Sequence, residues 1–341
     1  MSRRPRVGAL LTGVLVLAVA ALVVAQVAGP WAQSAASVPP VPRAAGAVPR
    51  LQLGVTTLAL ARNAYRPWRA ADLEQVNAFE QHASHHADVV MSFADWAHTA
   101  NFDAAQAAAI AARGSVPEIS WEPWDASKGI RTPQPRYRLA RIIRGDFDAY
   151  IRRWAESMAA YGKPVRLRFA HEMNGDWYPW AETANGNHRG EYARAWRRVH
   201  AIVDAAGARN VKWVWSPVAG TVRRELYPGS DQVDVLGVSG FNGGSKLFRG
   251  TWRSFAVAFG PTLDAVHALD ARKPVELSEV ASTEAGGSKA AWIRGMFAEV
   301  RRRPWIRALV WFNLRKETDW RIESSPAARR AFAEGISRAS R

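Results

Sequence analysis

The sequence predicts an α/β chain folded as a single (β/α)8 TIM barrel. Three observations lead there. Eight short runs rich in Val, Ile and aromatic residues recur along the chain, bounded by Gly, Pro, Asn or Asp. Between them lie stretches whose apolar residues are spaced three and four apart. The two patterns alternate over residues 51–341, and a barrel of this kind typically needs about 250 residues.

The elements follow in order. "LQLGVTT" from Leu51 reads as the first strand, and Asp72–Ala83 as the first helix, with Asp72 as its cap. "DVVMSF" from Asp88 precedes a helix over Asp103–Ala112. "SVPEISW" from Ser115 precedes one over Asp146–Tyr161. "PVRLRFA" from Pro164 is followed by Glu191–Ala206. "NVKWVWS" from Asn210 leads into 221–232, where no long helical pattern exists and a loop with a short turn is expected. "VDVLGVS" from Val233 pairs with Thr251–Leu269, and "KPVELSE" from Lys273 with Lys289–Arg302 behind a Ser288 cap. "IRALVWFN" from Ile306 is the eighth strand, and Ser325 opens the last helix, to Ser337. A doubly wound open sheet fits less well, because no Gly-rich phosphate loop follows the first strand.

The N-terminus differs in kind. "MSRRPR" is basic, and Val7 to Ala25 carries no charge. A basic head and an apolar run make an export signal, and this run also approaches the length that spans a bilayer. Residues 1–30 are therefore expected to be a signal peptide or a signal anchor, with 7–25 as the membrane segment if it is retained. Residues 31–50, containing "SVPPVPRAAGAVP", read as a stiff Pro/Ala-rich linker. The expected location is secreted or extracytoplasmic.

Composition narrows the chemistry. The 341 residues contain no Cys, which excludes disulfides, thiolate metal sites and a Cys nucleophile. Net charge is +16. An Arg-rich but otherwise ordinary surface accounts for it, and attraction to an anionic cell-envelope polymer is the sharper reading. Nucleic acid is not expected as a partner, because the arginines are scattered rather than gathered in a motif.

In such a barrel the reactive side chains stand at the C-terminal ends of strands. The fourth run ends in "RFAHEMNGDWYPW" and the seventh in "ELSEVAS", offering Glu172 and Glu279. Strands four and seven face each other across the barrel mouth, so these carboxyls can flank one bond. A glycosidic bond is cleaved by such a pair, one protonated and one ionised. Trp177, Tyr178 and Trp180 supply an apolar setting that raises the pKa of Glu172. Flat rings also stack on the C–H faces of sugars, although core packing accounts equally well for about half of the 16 Trp.

Other chemistries find no support. "HEMNG" is not a zinc HExxH, since the fifth residue is Gly175. "HASHH", His82 to His86, places an i, i+4 pair on the first helix, where a solvated outer face explains it. No GxSxG elbow occurs. A salt-bridged structural role is the competing reading of Glu172; Glu279 and many rings at the same rim favour the catalytic one.

"RFAHEMNGDWYPW", "KPVELSEVAS" and "VWFN", with "ISWEPW", "NVKWVWSP" and "ETDWRIESS", resemble glycoside hydrolase family 26, the β-mannanase family. The resemblance implies a retaining (β/α)8 hydrolase of β-mannans, some members acting on mixed-linkage β-glucans or β-1,3-xylans, with no metal or organic cofactor. It implies Glu172 as acid/base and Glu279 as nucleophile. His171 would orient polar groups beside the acid, and Trp177 and Trp311 would be sugar platforms. Trp121, Trp180, Asn242, Phe241 and Arg168 complete the expected substrate-binding set. Glu276 and Glu284 are rival nucleophiles; period-two alternation puts Glu276 on the other side of the strand from Glu279. Three positions depart from the family: Phe241 stands where a Tyr hydroxyl is usual, Ser239 where Asp is usual and Val218 where Asn is usual. These departures also admit a carbohydrate-binding pseudoenzyme.

Overall fold

A computed structural model describes residues 50–61, 68–247 and 250–341. The expected signal or anchor (1–30) and all of the expected linker but Arg50 lie outside the described residues. Among the described residues no helix is long and apolar enough to cross a membrane.

Eight parallel strands close on themselves: β1 (Gln52–Thr57), β2 (Val89–Asp95), β3 (Val116–Glu122), β4 (Val165–Phe169), β5 (Val211–Trp215), β6 (Val235–Asn242), β7 (Val275–Ser282) and β8 (Ile306–Asn313). The seam joins β1 to β8 from Gln52↔Ala308 to Thr57↔Asn313. Around the barrel run α1 (Leu58–Ala61), α2 (Glu74–Ala83), α3 (Ala104–Ala112), α4 (Leu139–Arg144), α5 (Asp148–Tyr161), α6 (Glu191–Ala205), α7 (Phe255–His267), α8 (Lys289–Arg302) and α9 (Pro326–Ala339). The segment 221–232 holds only two single turns, as expected.

Caps set several helix starts. Asp103 accepts from the Gln106 amide, Ser288 from Ala291 and Ser325 from Ala328, each satisfying a first-turn donor. Asp146 does not cap. It pairs with Arg141 and Arg144, and α5 begins two residues later. The Thr251–Leu269 helix also starts late, at Phe255, where Ser254 accepts from Val257. His86 of "HASHH" is bound to Glu80, 2.9 Å away, on the outer layer.

The core lies between barrel and helices. Trp121 packs on Trp154 and Tyr150 of α5, and Trp311 packs on Trp292 of α8 and Phe332 of α9. Inside the barrel, Val89, Met91 and Val310 form a small apolar wall. Below it Arg166 of β4 reaches across the lumen to Glu276 of β7 at 2.6 Å. Glu118, also fully buried, completes this floor, and burial followed by the Glu276 charge pushes its pKa well up.

One expectation about β7 fails here. Glu276 and Glu279 are three apart, yet both point into the lumen, each meeting an Arg of β4. The reason is a register shift between Leu277 and Val280, an irregularity that places one extra residue in the strand and reverses its alternation. Glu276 therefore lies in the floor and Glu279 at the mouth. The pairing with β6 shows the same extra residue: consecutive Val238 and Ser239 pair with Leu277 and Glu279, skipping Ser278.

Candidate active site

The chain leaves β4 at Phe169 along an unusual path. Ala170 and Glu172 both adopt left-handed backbone, at φ 46° and 54°. Such non-glycine conformations persist only where the surroundings hold them. Here the Ala170 amide donates to the Trp121 carbonyl and the Glu172 amide to Ser216 of the next strand end. Tyr192 donates to the Ala170 carbonyl and the Trp180 indole to that of His171. Asn174 exchanges two hydrogen bonds with the backbone of Val218. That contact uses no side-chain atom of residue 218, so Val there leaves the loop anchored.

This path turns Glu172 inward to meet Glu279. His171, Glu172 and Glu279 each present a polar atom within 4.8 Å of the others. Both carboxyls are buried, and Glu279 lines a cleft of about 780 Å³. Phe93, Glu122, Trp124, Tyr178 and Phe312 line its inner wall, and Ile130 stands exposed at its rim.

The two carboxyls sit in different electrostatic settings. Arg168 is wholly buried beneath them, and its Nη1 donates to Glu279 Oε2 at 2.8 Å and to Ser120 at 2.7 Å. Glu172 lacks such a partner. Burial first, then the Glu279 charge, raises its pKa to about 7; Arg168, the Trp177 indole and Ser239 oppose that rise. Trp177 donates to Glu172 Oε2 at 3.0 Å. Gly175 makes room for this ring, since a Cβ there would stand 2.6 Å from it. Burial, and after it Arg168, lowers the His171 pKa well below normal, so its ring is neutral. One group is thus poised to hold a proton near neutrality while the other is held by a cation.

Of the rival carboxyls, Glu276 lies in the floor. Glu284 accepts from Ser325 and the Lys289 amide, away from the cleft.

The expected substrate-binding set needs correction. Trp311 and Trp121 face the helices and are fully buried, so neither can be a sugar platform; Phe312 faces the cleft instead of Trp311. Alternation along β3 and β8 puts neighbours on opposite faces, which ring content alone does not reveal. Trp180 is buried behind Tyr178, stacked on it at 4.3 Å. Asn242 binds Ser282 and the Arg253 amide, tying β6 to β7. Arg168 has no exposed surface, so it holds Glu279 rather than a sugar. Phe241 packs on cleft-lining Phe312 and on Trp320. His171 and Trp177 do sit beside the acid, as expected.

Glu122, outside the expected set, also lines the cleft. The alternation of Glu118, Ser120 and Glu122 on one face of β3 was the available signal. Tyr178, expected only as a wall for Glu172, lines the cleft within the influence of three carboxyls.

Two facing carboxyls at the tips of β4 and β7 of a closed (β/α)8 barrel, one protonatable and one cation-bound, are the arrangement that two-carboxylate glycoside hydrolysis requires. The chain belongs to glycosyl hydrolase family 26, whose family model matches residues 124–293. Endoglucanase H of Acetivibrio thermocellus is 37% identical over 270 residues, covering 76% of this chain and 29% of that protein. A mannan endo-1,4-beta-mannosidase of Bacillus subtilis is 26% identical over 193 residues, covering 51% and 49%. The chain thus spans less than half the length of either relative. A GH26 beta-mannanase structure from Bacteroides ovatus shares the fold at a TM-score of 0.59, with 15% identity over 85% of this chain and 89% of that one.

Proposed function

We propose that the protein is a retaining endo-β-glycanase that hydrolyses β-1,4-mannan-type polysaccharide outside the cytoplasm. The observation that carries this is the pair Glu172 and Glu279, with carboxyl oxygens within 4.8 Å of each other and Glu279 lining the cleft. Retaining enzymes hold their carboxyls about 5–5.5 Å apart, whereas inverting ones leave room for a water between them.

Glu172 gives its proton to the leaving oxygen while Glu279, oriented by Arg168, attacks the anomeric carbon. The glycosyl–Glu279 ester forms as the leaving sugar departs with that proton. Glu172, now ionised, takes a proton from water, whose oxygen displaces Glu279 with a second inversion. Arg168 supplies the nucleophile with the hydrogen bond that Phe241 has no hydroxyl to give. The cleft's rings offer apolar faces to the sugars. The basic head and apolar run at 1–30 support export, and retention of 7–25 would anchor the chain to the membrane. The +16 charge supports a second affinity for an anionic cell-envelope polymer.

A second reading is a β-glucan or mixed-linkage β-glucan backbone, favoured by the higher identity to a protein named endoglucanase. Reducing-end release from mannan, lichenan and β-1,3-xylan decides among the substrates. Loss of turnover in both Glu172→Ala and Glu279→Ala is expected. Full activity in either variant overturns the pairing, and binding without turnover by the unaltered protein makes it a pseudoenzyme.

A further inference from the structure

A third carboxyl, Glu122, stands near Glu172 and Glu279, and Tyr178 lies within the influence of all three. Glu122 ends β3 and lines the cavity with Glu279, only 4% exposed. Its Oε2 accepts the Trp124 indole N–H at 3.2 Å. Its Oε1 has no hydrogen bond among the described residues and stands 3.8 Å from His171 Nδ1, a buried atom that also lacks a partner. That separation is too long for a hydrogen bond. The buried His171 Nδ1 is therefore without a partner, and the carboxyl opposite it lines the cleft.

We propose that Glu122 contacts the substrate: its Oε1 hydrogen-bonds a hydroxyl of the sugar held beside Glu279, and so selects sugars by where that hydroxyl stands. The proposal rests on the glycanase reading above, and it adds a specificity-determining residue to it.

The surroundings make this carboxyl a donor. Burial is the largest influence and pushes its pKa up to about 8; Asp95 and Glu279 add to the rise, while Trp124 and Arg168 oppose it. Near neutrality Glu122 keeps its proton. Trp124 occupies Oε2, so the remaining oxygen is the one turned to the cleft. A sugar hydroxyl can accept from it. A site built to bond a hydroxyl discriminates strongly against a sugar that lacks or misplaces it, because the buried carboxyl is then left unpaired.

The purely structural alternative is that Glu122 only fixes Trp124. Gln and Leu separate the two readings. Gln keeps an acceptor for Trp124 and offers an N–H to the cleft, whereas Leu keeps the volume and nothing polar. The test is calorimetric titration of short oligosaccharides, parent and singly deoxygenated, into Glu279→Ala protein with and without E122Q or E122L, with thermal midpoints recorded. Leu is expected to weaken parent binding on the order of tenfold and Gln to stay within about threefold. One deoxy position is expected to bind the Leu and Glu122 proteins equally. Parent binding unchanged by Leu, or deoxy losses identical in both proteins at every position, overturns the proposal. Turnover by the otherwise unaltered protein is measured separately. If it binds but does not cleave, the hydrolase reading fails while the titration still decides Glu122. A chain that binds no glycan overturns both.

Discussion

Replacing Trp177 by Phe tests how the acid is tuned. The ring survives, so any stacking on sugar survives with it. What is lost is the indole N–H that donates to Glu172 Oε2 at 3.0 Å. That bond favours the ionised carboxylate, so it holds the pKa down against burial and the Glu279 charge. Its removal raises the pKa above its present value of about 7. A hydrogen bond to a charged group contributes ~1.5–3 kcal/mol, and each pH unit corresponds to about 1.36 kcal/mol, which gives a rise of roughly 1–2 pH units. The sign follows from the acid's role. Glu172 works in the first step when protonated, so kcat/KM is present below its pKa and lost above it. The variant's alkaline limb therefore moves to higher pH. The assay is kcat/KM on a soluble glycan from roughly pH 4 to 10, which reports the free protein's groups. Gly175→Ala should move the limb the same way, because a Cβ 2.6 Å from the ring displaces the indole. A raised KM with an unmoved limb would show that Trp177 acts only as a platform. A limb moved downward would refute the tuning argument.

Three further outcomes follow from buried groups. Arg168→Met leaves the Glu279 carboxylate without its 2.8 Å partner in a buried site, so urea unfolding should show a loss of ~3–5 kcal/mol; a loss under about 1 kcal/mol contradicts the buried-pair reading. Trp311→Ala opens a cavity between β8, α8 and α9, and should cost ~3–5 kcal/mol with KM unchanged. A raised KM in a stable protein would restore the platform role. Glu122 holds its proton to about pH 8 when folded and releases it near its ordinary value of 4.5 when unfolded. Its contribution to stability is thus complete below 4.5 and is lost as pH rises through 8. The thermal midpoint should fall over that window, less steeply in Glu122→Gln, and equal slopes would show that Glu122 does not titrate there.

The barrel was legible because eight β-rich runs alternate with amphipathic stretches, and because Asp103, Ser288 and Ser325 announce helix starts. The short α4 was not, since "LARIIR" is too brief to show a period. The carboxyl pair was legible from strand ends. The facing of Glu276 was not, because one irregularity in β7 reverses alternation without a sequence mark such as Gly or Pro. Rings misled at Trp121, Trp180 and Trp311. Aromatic side chains serve the helix interface and the cleft equally well, and only the parity of each strand separates the two. Applied to β3 and β8, that parity would have chosen Glu122 and Phe312.

Two carboxyl oxygens within 4.8 Å of each other, on β4 and β7, have the close spacing of a retaining pair rather than the wider one of an inverting pair, and that spacing predicts the stereochemistry of the cut. Proton NMR of the first product, recorded before mutarotation on whichever glycan is cleaved, reads it directly. The β-anomer should appear first; an initial α-anomer would mean single displacement and would contradict the assignment of Glu279 as nucleophile.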